Sequence, residues 1–258
     1  MSEWLGSHKI PMDSAWFWQL GPLLLHVDNR ISEWRVVGQP GRDHTLATLA
    51  SGPVAPDEVP QGGLVARFAS RHDENTIALG AALADRPVVV RPETPVWLLG
   101  GEQVHFFLST PLWITVTTAE TGRLLTELPT FRPSDTWFGT STRTGELAYA
   151  SRSRAQREPS GHPFRATTRL LVINHEADPL RIERIKLPVP SLSLYQDEAG
   201  GFWTSVVVME GAEGGTVGHL RIVDHPPEEA KNPRLVAGPR VAFQEQLGLV
   251  KALTALWA

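Results

Sequence analysis

Three short constellations in this chain hold residue types that could do chemistry. Gly100-Gly101 followed by His105 matches the opening of a jelly-roll metal motif, in which imidazoles and a carboxylate converge on one ion. That chemistry needs a second His two residues on and a Glu soon after. Phe107 and the carboxylate-free run 108–112 stand there instead, so His105 reads as a sheet-surface histidine. Asn174-His175-Glu176-Ala177-Asp178 resembles half of a zinc-protease helix, where a second His four residues after the first completes the site. Pro179 holds that position, and the segment reads as a turn. Gly211 to Gly218 is rich enough in glycine to cradle a phosphate. A phosphate loop must be followed by a helix N-terminus whose N–H groups converge on the anion. A strand pattern follows here, which makes the segment a hairpin loop.

No Gly-x-Ser-x-Gly elbow and no P-loop lysine pattern occurs, and the absence of cysteine excludes disulfides, thiolate metal sites and thiol nucleophiles. No catalytic residue, metal ligand or cofactor is therefore expected, and the chain reads as non-enzymatic. One enzymatic route stays open, because a glycosidase carboxylate pair is defined by distance in space and not by spacing in sequence.

Softer signals come from aromatic and basic side chains. Trp137-Phe138 lies at the entry to a Ser/Thr-rich loop that continues into Arg143, Arg152, Arg154 and Arg157. Aromatic faces beside guanidinium groups suit an anion, a sugar or an acidic partner. Trp137, Phe138, Arg143, Arg152 and Arg154 form the candidate binding surface; core packing for the rings and a solvated linker for the arginines are the bland readings. From Arg240 to Trp257, Phe243, Leu247, Val250 and Trp257 recur at helical spacing, with Gln244, Glu245 and Lys251 opposite. This predicts an amphipathic helix. It packs on its own domain or docks on a protein partner or a second copy of the chain.

The elements that must position these residues are strands. Pro87–Phe138 is a series of short apolar runs cut by Pro, Gly and polar turns. Val104, Phe106 and Leu108 alternate with Gln103, His105 and Phe107, and Leu112, Ile114 and Val116 with Trp113, Thr115 and Thr117. Period-two alternation with turns every 8–12 residues predicts an all-β fold of antiparallel β-sandwich or jelly-roll-like units. A long strand is expected over 16–28, paired with 33–39. Residues 40–63 read mainly as loop. Hairpins are expected between 64–70 and 76–83, and between 164–174 and 180–187. The least strand-like stretch, 155–163, suggests two β units, 1–158 and 159–239, followed by the helix at 240–258.

Charge and hydropathy narrow the partners. Of 258 residues, 24 are basic and 28 acidic, a net charge of −4, which argues against bulk nucleic-acid binding. The balance is uneven: residues 143–190 hold nine basic and five acidic side chains, +4, while 191–230 hold one and seven, −6. The N-terminus lacks the basic start and apolar core of a secretion signal. The longest apolar stretch, 15–27, falls short of the roughly 20 residues that span a bilayer. The expectation is a cytoplasmic protein that is not integral to a membrane.

Val96–Trp113, Thr136-Trp137-Phe138-Gly139, Gly145–Ala150, Leu192–Tyr195 and Phe202-Trp203-Thr204 together resemble an uncharacterised archaeal and bacterial family known only as a domain of unknown function. These pieces span about half the chain. The resemblance implies a β-rich prokaryotic protein and no assigned activity, so it carries over no site residue. The functional expectation is a protein-interaction or binding module. The alternatives are a carbohydrate-binding or glycan-active protein, and an accessory partner docked on a membrane assembly through the C-terminal helix.

Overall fold

The computed structural model describes residues 4–70, 74–139, 143, 145–159, 161–212 and 216–243. Its strands run β1 Gly6–Lys9, β2 Ser14–Leu20, β3 Leu23–Arg30, β4 Glu33–Pro40, β5 Leu49–Val54, β6 Leu64–Ala69 and β7 Thr76–Ala82. They continue with β8 Val88–Pro92, β9 Val96–Leu98, β10 Gln103–Pro111, β11 Trp113–Thr118, β12 Leu124–Pro129, β13 Ser134–Phe138 and β14 Glu146–Ala155. The last are β15 Arg165–Ile173, β16 Leu180–Ile182, β17 Ile185–Leu187, β18 Leu194–Gln196, β19 Phe202–Thr204, β20 Val206–Ala212, β21 Thr216–Val223 and β22 Arg234–Ala237.

The chain is all-β, and two parts of the expected architecture are corrected. No α-helix occurs among the described residues; the one helical turn is the 3-10 turn Val189–Ser191. Residues 240–243, where the amphipathic helix was to begin, run as bend and coil, with the Arg240 and Val241 amides donating to the Pro190 carbonyl. The Arg240 guanidinium also donates to the Leu83 carbonyl. Phe243 is half-buried in coil, while Leu247, Val250 and Trp257 lie outside the described residues. Nor are the sheets uniformly antiparallel, because β14 pairs β8 in parallel and β15 pairs both β19 and β20 in parallel.

Contacts divide the chain into two interleaved units: residues 1–82 with 111–132, and residues 83–110 with 133–258. In the first unit, an antiparallel sheet β1-β7-β11-β12 faces a second, β5-β2-β3-β4-β6. Ile77, Leu79, Ile114 and Val116 from one sheet and Trp18, Leu25, Val27 and Trp34 from the other are buried, each such aliphatic side chain contributing about 1.5–3 kcal/mol. His8 of β1 meets Trp18 of β2 edge to face at 5.1 Å. Gly38 of β4 lies so close to Leu128 of β12 that an added Cβ would sit 2.5 Å from Leu128 Cδ1.

Local pairing departs from the sequence reading in four places. The strand over 16–28 is two strands folded back on each other at Gly21-Pro22, where Gly21 takes φ +59° and Pro22 has no N–H to give a ladder. The 40–63 segment contains β5, paired to β2. The expected hairpin of 64–70 with 76–83 does not form, because β6 pairs β4 while β7 joins the other sheet between β1 and β11. Likewise 164–174 and 180–187 do not pair. β15 takes β19 and β20, β16 takes β9 and β17 takes β8.

The face of β2-β3-β4-β6 turned away from this core is charged, yet the segment at 55–63 covers part of it. Val59 packs with Ala15 and Val37, and Arg35 donates to the Pro60 carbonyl at 2.6 Å. Beneath it lie His26, Asp28 and Arg35, all buried. Burial, and then the Arg35 charge, hold the His26 imidazole below its ordinary pKa. With that direction of shift, acid protonates the unfolded chain first once pH drops below about 6.5. Stability is therefore lost as pH falls from there through the folded pKa. The urea midpoint of a His26→Gln variant should fall less than that of the natural protein between pH 7 and 5; parallel curves would contradict this.

Candidate functional site

The second unit holds a sheet β21-β20-β15-β19-β18-β22, with β10 also on β15, a pair β16-β9, and a sheet β13-β14-β8-β17. In this last sheet β13 and β17 are the terminal strands of the order. Even so, Arg184, immediately before β17, donates from Nη2 to the carbonyl of Trp137 on β13 at 3.2 Å. The sheet thus curls until its two ends meet, and the candidate site lies where they meet.

Alternation sets what faces the site. Phe138 opposes Glu146 in the β13–β14 register, one face away from the Trp137–Leu147 pair. The Phe138 ring is buried, with Arg184 Cζ 5.2 Å and Lys186 Nζ 5.6 Å from its centroid. Lys186 is ion-paired with Glu146. Burial, and then the like charge of Arg91, push the Arg184 guanidinium below its ordinary range; it stays a cation at neutral pH. Arg91 is exposed and stands opposite Arg154 in the parallel β8–β14 register. Among the described residues neither Arg91 nor Arg184 has a carboxylate partner, and Arg184 Nε is buried without an acceptor. Two guanidinium groups that lack a carboxylate partner among the described residues thus share the neighbourhood of a cation-covered ring.

Trp137, 43 % exposed, and Leu147, 46 % exposed, form an apolar pair on the opposite face. On that same face Arg86 pairs with Asp135 at 3.2 Å and lies 5.4 Å from the centre of the Tyr149 ring. The Tyr149 hydroxyl donates to Asp85 at 3.0 Å. Trp137 is held by a close approach: a Cβ on Gly145 would collide with its indole Nε1 and Cε2. Gly145→Ala should therefore displace the ring and shift one indole N–H resonance of the nine tryptophans strongly. An unchanged indole spectrum would show that the packing is not obligatory.

Of the residues singled out from sequence, Trp137 and Phe138 share β13 on opposite faces, and Arg143 is exposed in the turn that follows. Arg152 and Arg154 place their backbone on β14, and their side chains lie outside the described residues. Arg157 stands over Phe106 at 5.7 Å. Sequence reasoning missed Arg91, Arg184 and Lys186. Each sits in a short strand or its flank, with no local pattern to mark it, and only the pairing of β8 with β14 and β17 brings them near Phe138.

The motifs set aside in the sequence have structural roles. His105 is half-buried with Nδ1 unpartnered; burial, then Arg169, lower its pKa, against an opposing effect of Glu229. Asn174 is buried in the turn and donates to the carbonyls of Leu98, Leu99 and Asp178 at 2.8–3.2 Å. Its side-chain oxygen accepts from the Glu176 amide. Asn174→Ala would leave several of these groups unpaired and should cost about 2–3 kcal/mol in urea unfolding; a loss below about 0.5 kcal/mol would refute this role for the turn. The strands on either side of the glycine-rich segment, β20 and β21, pair antiparallel. No group of three His, Asp or Glu side chains able to hold a metal occurs among the described residues.

Fold and site together define an all-β protein of two interleaved units carrying a basic, aromatic surface at a curled sheet. The chain belongs to the family described as "Protein of unknown function (DUF432)", which matches residues 4–254. No curated protein and no solved structure is a match. Among the described residues no helix is long and apolar enough to cross a membrane.

Proposed function

We propose that this protein is a non-enzymatic binding module that docks an acidic protein segment on the surface formed by Phe138, Arg184 and Arg91. The observation that carries the reading is the pair of guanidinium groups held close enough to oppose each other, with no carboxylate partner among the described residues. Like charges so placed are relieved by an anion, and planar guanidinium forks match carboxylates in pairs. Lys186, already paired with Glu146, contributes less. The test is fluorescence anisotropy of a labelled poly-glutamate peptide at low and physiological salt. Saturable binding that weakens with salt supports the reading. No binding at low salt, or equal binding of a single-stranded oligonucleotide, overturns it.

A second reading has its own observation. On the other face of β13, exposed Trp137 lies two residues from Asp135, which is paired with Arg86. An aromatic platform beside an Asp–Arg pair suits the apolar face and hydroxyl groups of a saccharide. Glycan-array binding lost in Trp137→Ala would favour this reading over the first.

A further inference from the structure

In the first unit β5 and β6 are the two ends of the sheet order β5-β2-β3-β4-β6, and residues 55–63 join them. The connection must therefore cross the whole sheet, about 19 Å at the usual strand spacing. Its nine residues can reach roughly 30 Å, so the crossing has slack and can rise without dragging either end strand. Gly63, at φ +116°, supplies a pivot just before β6. Val59 is the one buried side chain of the segment, and it packs on Ala15 of β2 and Val37 of β4. Among the described residues a single side chain of the sheet bonds to the crossing. Arg35 Nη2 donates to the Pro60 carbonyl at 2.6 Å and reaches Gln61 Oε1 at 3.5 Å. The other bonds of the segment are local, between Ala55 and Glu58.

What the crossing covers is under-satisfied. His26, Asp28 and Arg35 are buried, and each keeps one atom without a hydrogen-bond partner: His26 Nδ1, Asp28 Oδ1 and Arg35 Nη1. Buried polar groups are normally satisfied, so lifting the crossing opens three such groups to water while uncovering one valine. Counter-charge is also used up. Asp28 is the only carboxylate among the buried described residues, and it already answers Arg30 at 2.6 Å and Arg35 at 3.9 Å. Opposite His26 in register stand Phe17 of β2, its ring centroid 6.3 Å away, and Val37 of β4. On β6, Arg67 is paired with Glu33 of β4. On the crossing, Asp57 is exposed and Glu58 is bonded to the Ala55 amide. Arg35 is thus the charge that His26 feels, and it lowers the imidazole pKa after burial does.

We propose that residues 55–63 are an acid-released strap: protonation of His26 adds a third cation to Arg30 and Arg35, and the segment lifts from the sheet while the sandwich stays folded. The hydrogen bond from Arg35 to Pro60 breaks, water reaches Asp28 and Arg35, and the apolar strip of Ala15 and Val37 is exposed. In the lifted state His26 is hydrated and titrates near its ordinary value of about 6.5. Falling pH therefore favours the lifted state. The strap lies in the other unit from the acidic-segment surface, so either reading can fail without the other.

The chain has no cysteine, so single cysteines report exposure cleanly. Val59→Cys is labelled with a methanethiosulfonate at pH 7.5 and 5.0. Its rate is divided by that of Asp57→Cys, exposed on the same segment, which corrects for thiolate content. Ala81→Cys, in the core on β7, reports global unfolding. The normalised Val59→Cys rate should rise severalfold at pH 5.0, with a ceiling of roughly thirtyfold for one group titrating near 6.5. Ala81→Cys should stay protected, and adding His26→Gln should flatten the rise. Val59→Cys removes part of the contact under test, so hydrogen exchange across 55–63 in the natural protein, corrected for intrinsic rates, supplies a second reading with the same expected rise. A change below twofold in both readings, a rise that survives His26→Gln, or equal loss of protection at Ala81→Cys overturns the proposal.

Discussion

Asp28→Ala is expected to lower unfolding free energy by about 3–5 kcal/mol, and the thermal midpoint by roughly 6–20 °C for a chain of this size. Asp28 is fully buried; Arg30 donates to its Oδ2 at 2.6 Å and Arg35 Nη1 lies 3.9 Å from the same oxygen. Removing the carboxylate leaves the Arg35 guanidinium, itself 5 % exposed, with a backbone carbonyl but no counter-charge. An uncompensated buried cation costs far more than the pair it belonged to contributes. The discriminating comparison is Asp28→Ala with Arg35→Met. Removing both charges should restore most of the loss, whereas additive losses would mean that the two residues do not act as a pair.

Arg184→Gln combined with Arg91→Gln should reduce poly-glutamate affinity by roughly 10–100-fold, each charged hydrogen bond contributing about 1.5–3 kcal/mol before solvent screening. Arg184 alone should account for most of the effect, because its partial burial shields it from salt while exposed Arg91 is screened beyond about 8 Å at physiological ionic strength. Arg157→Gln provides the control, since that cation is spent over Phe106. Equal weakening by Arg157→Gln would reduce the site to diffuse charge. Far-ultraviolet circular dichroism should be essentially unchanged in all three variants, because the one strand carbonyl that these side chains reach, that of Trp137, receives a side-chain bond from Arg184 and not a ladder bond.

The β character of the chain is readable from short-range pattern. Val104, Phe106 and Leu108 alternate as expected and are buried, as are Ile114 and Val116. Period-two alternation reports which side chains share a face, and it is the same whichever strand lies alongside. That is why the hairpin of 64–70 with 76–83 looked sound and is absent: a five-residue polar connection permits a hairpin without requiring one. Parallel pairs such as β14 with β8 join segments far apart in sequence and leave no turn signature at all. The basic surface depends on such pairings. Phe138 is visible in the sequence as an aromatic beside a loop, but its covering by Arg184 and Lys186 depends on strands that meet nearly fifty residues away. At the C-terminus only the first residues of the expected helix are described, and amphipathic spacing alone does not hold a helix, which draws most of its stability from packing. At 240–243 the backbone is instead engaged by Pro190.

The interleaving of the two units has a consequence for synthesis. The chain leaves the first unit after Ala82, spends residues 83–110 in the second, and returns for β11 and β12. At elongation rates of 5–20 residues per second, that detour lasts roughly 1–6 s on the ribosome. During that interval β7 has β1 on one side and nothing on the other, so its edge and the apolar row Ile77 and Leu79 await β11. An unpaired apolar edge is a template for illegitimate strand addition. The nascent chain therefore passes through a window of vulnerability that the finished protein no longer shows, and slowing translation across 83–110 would lengthen it.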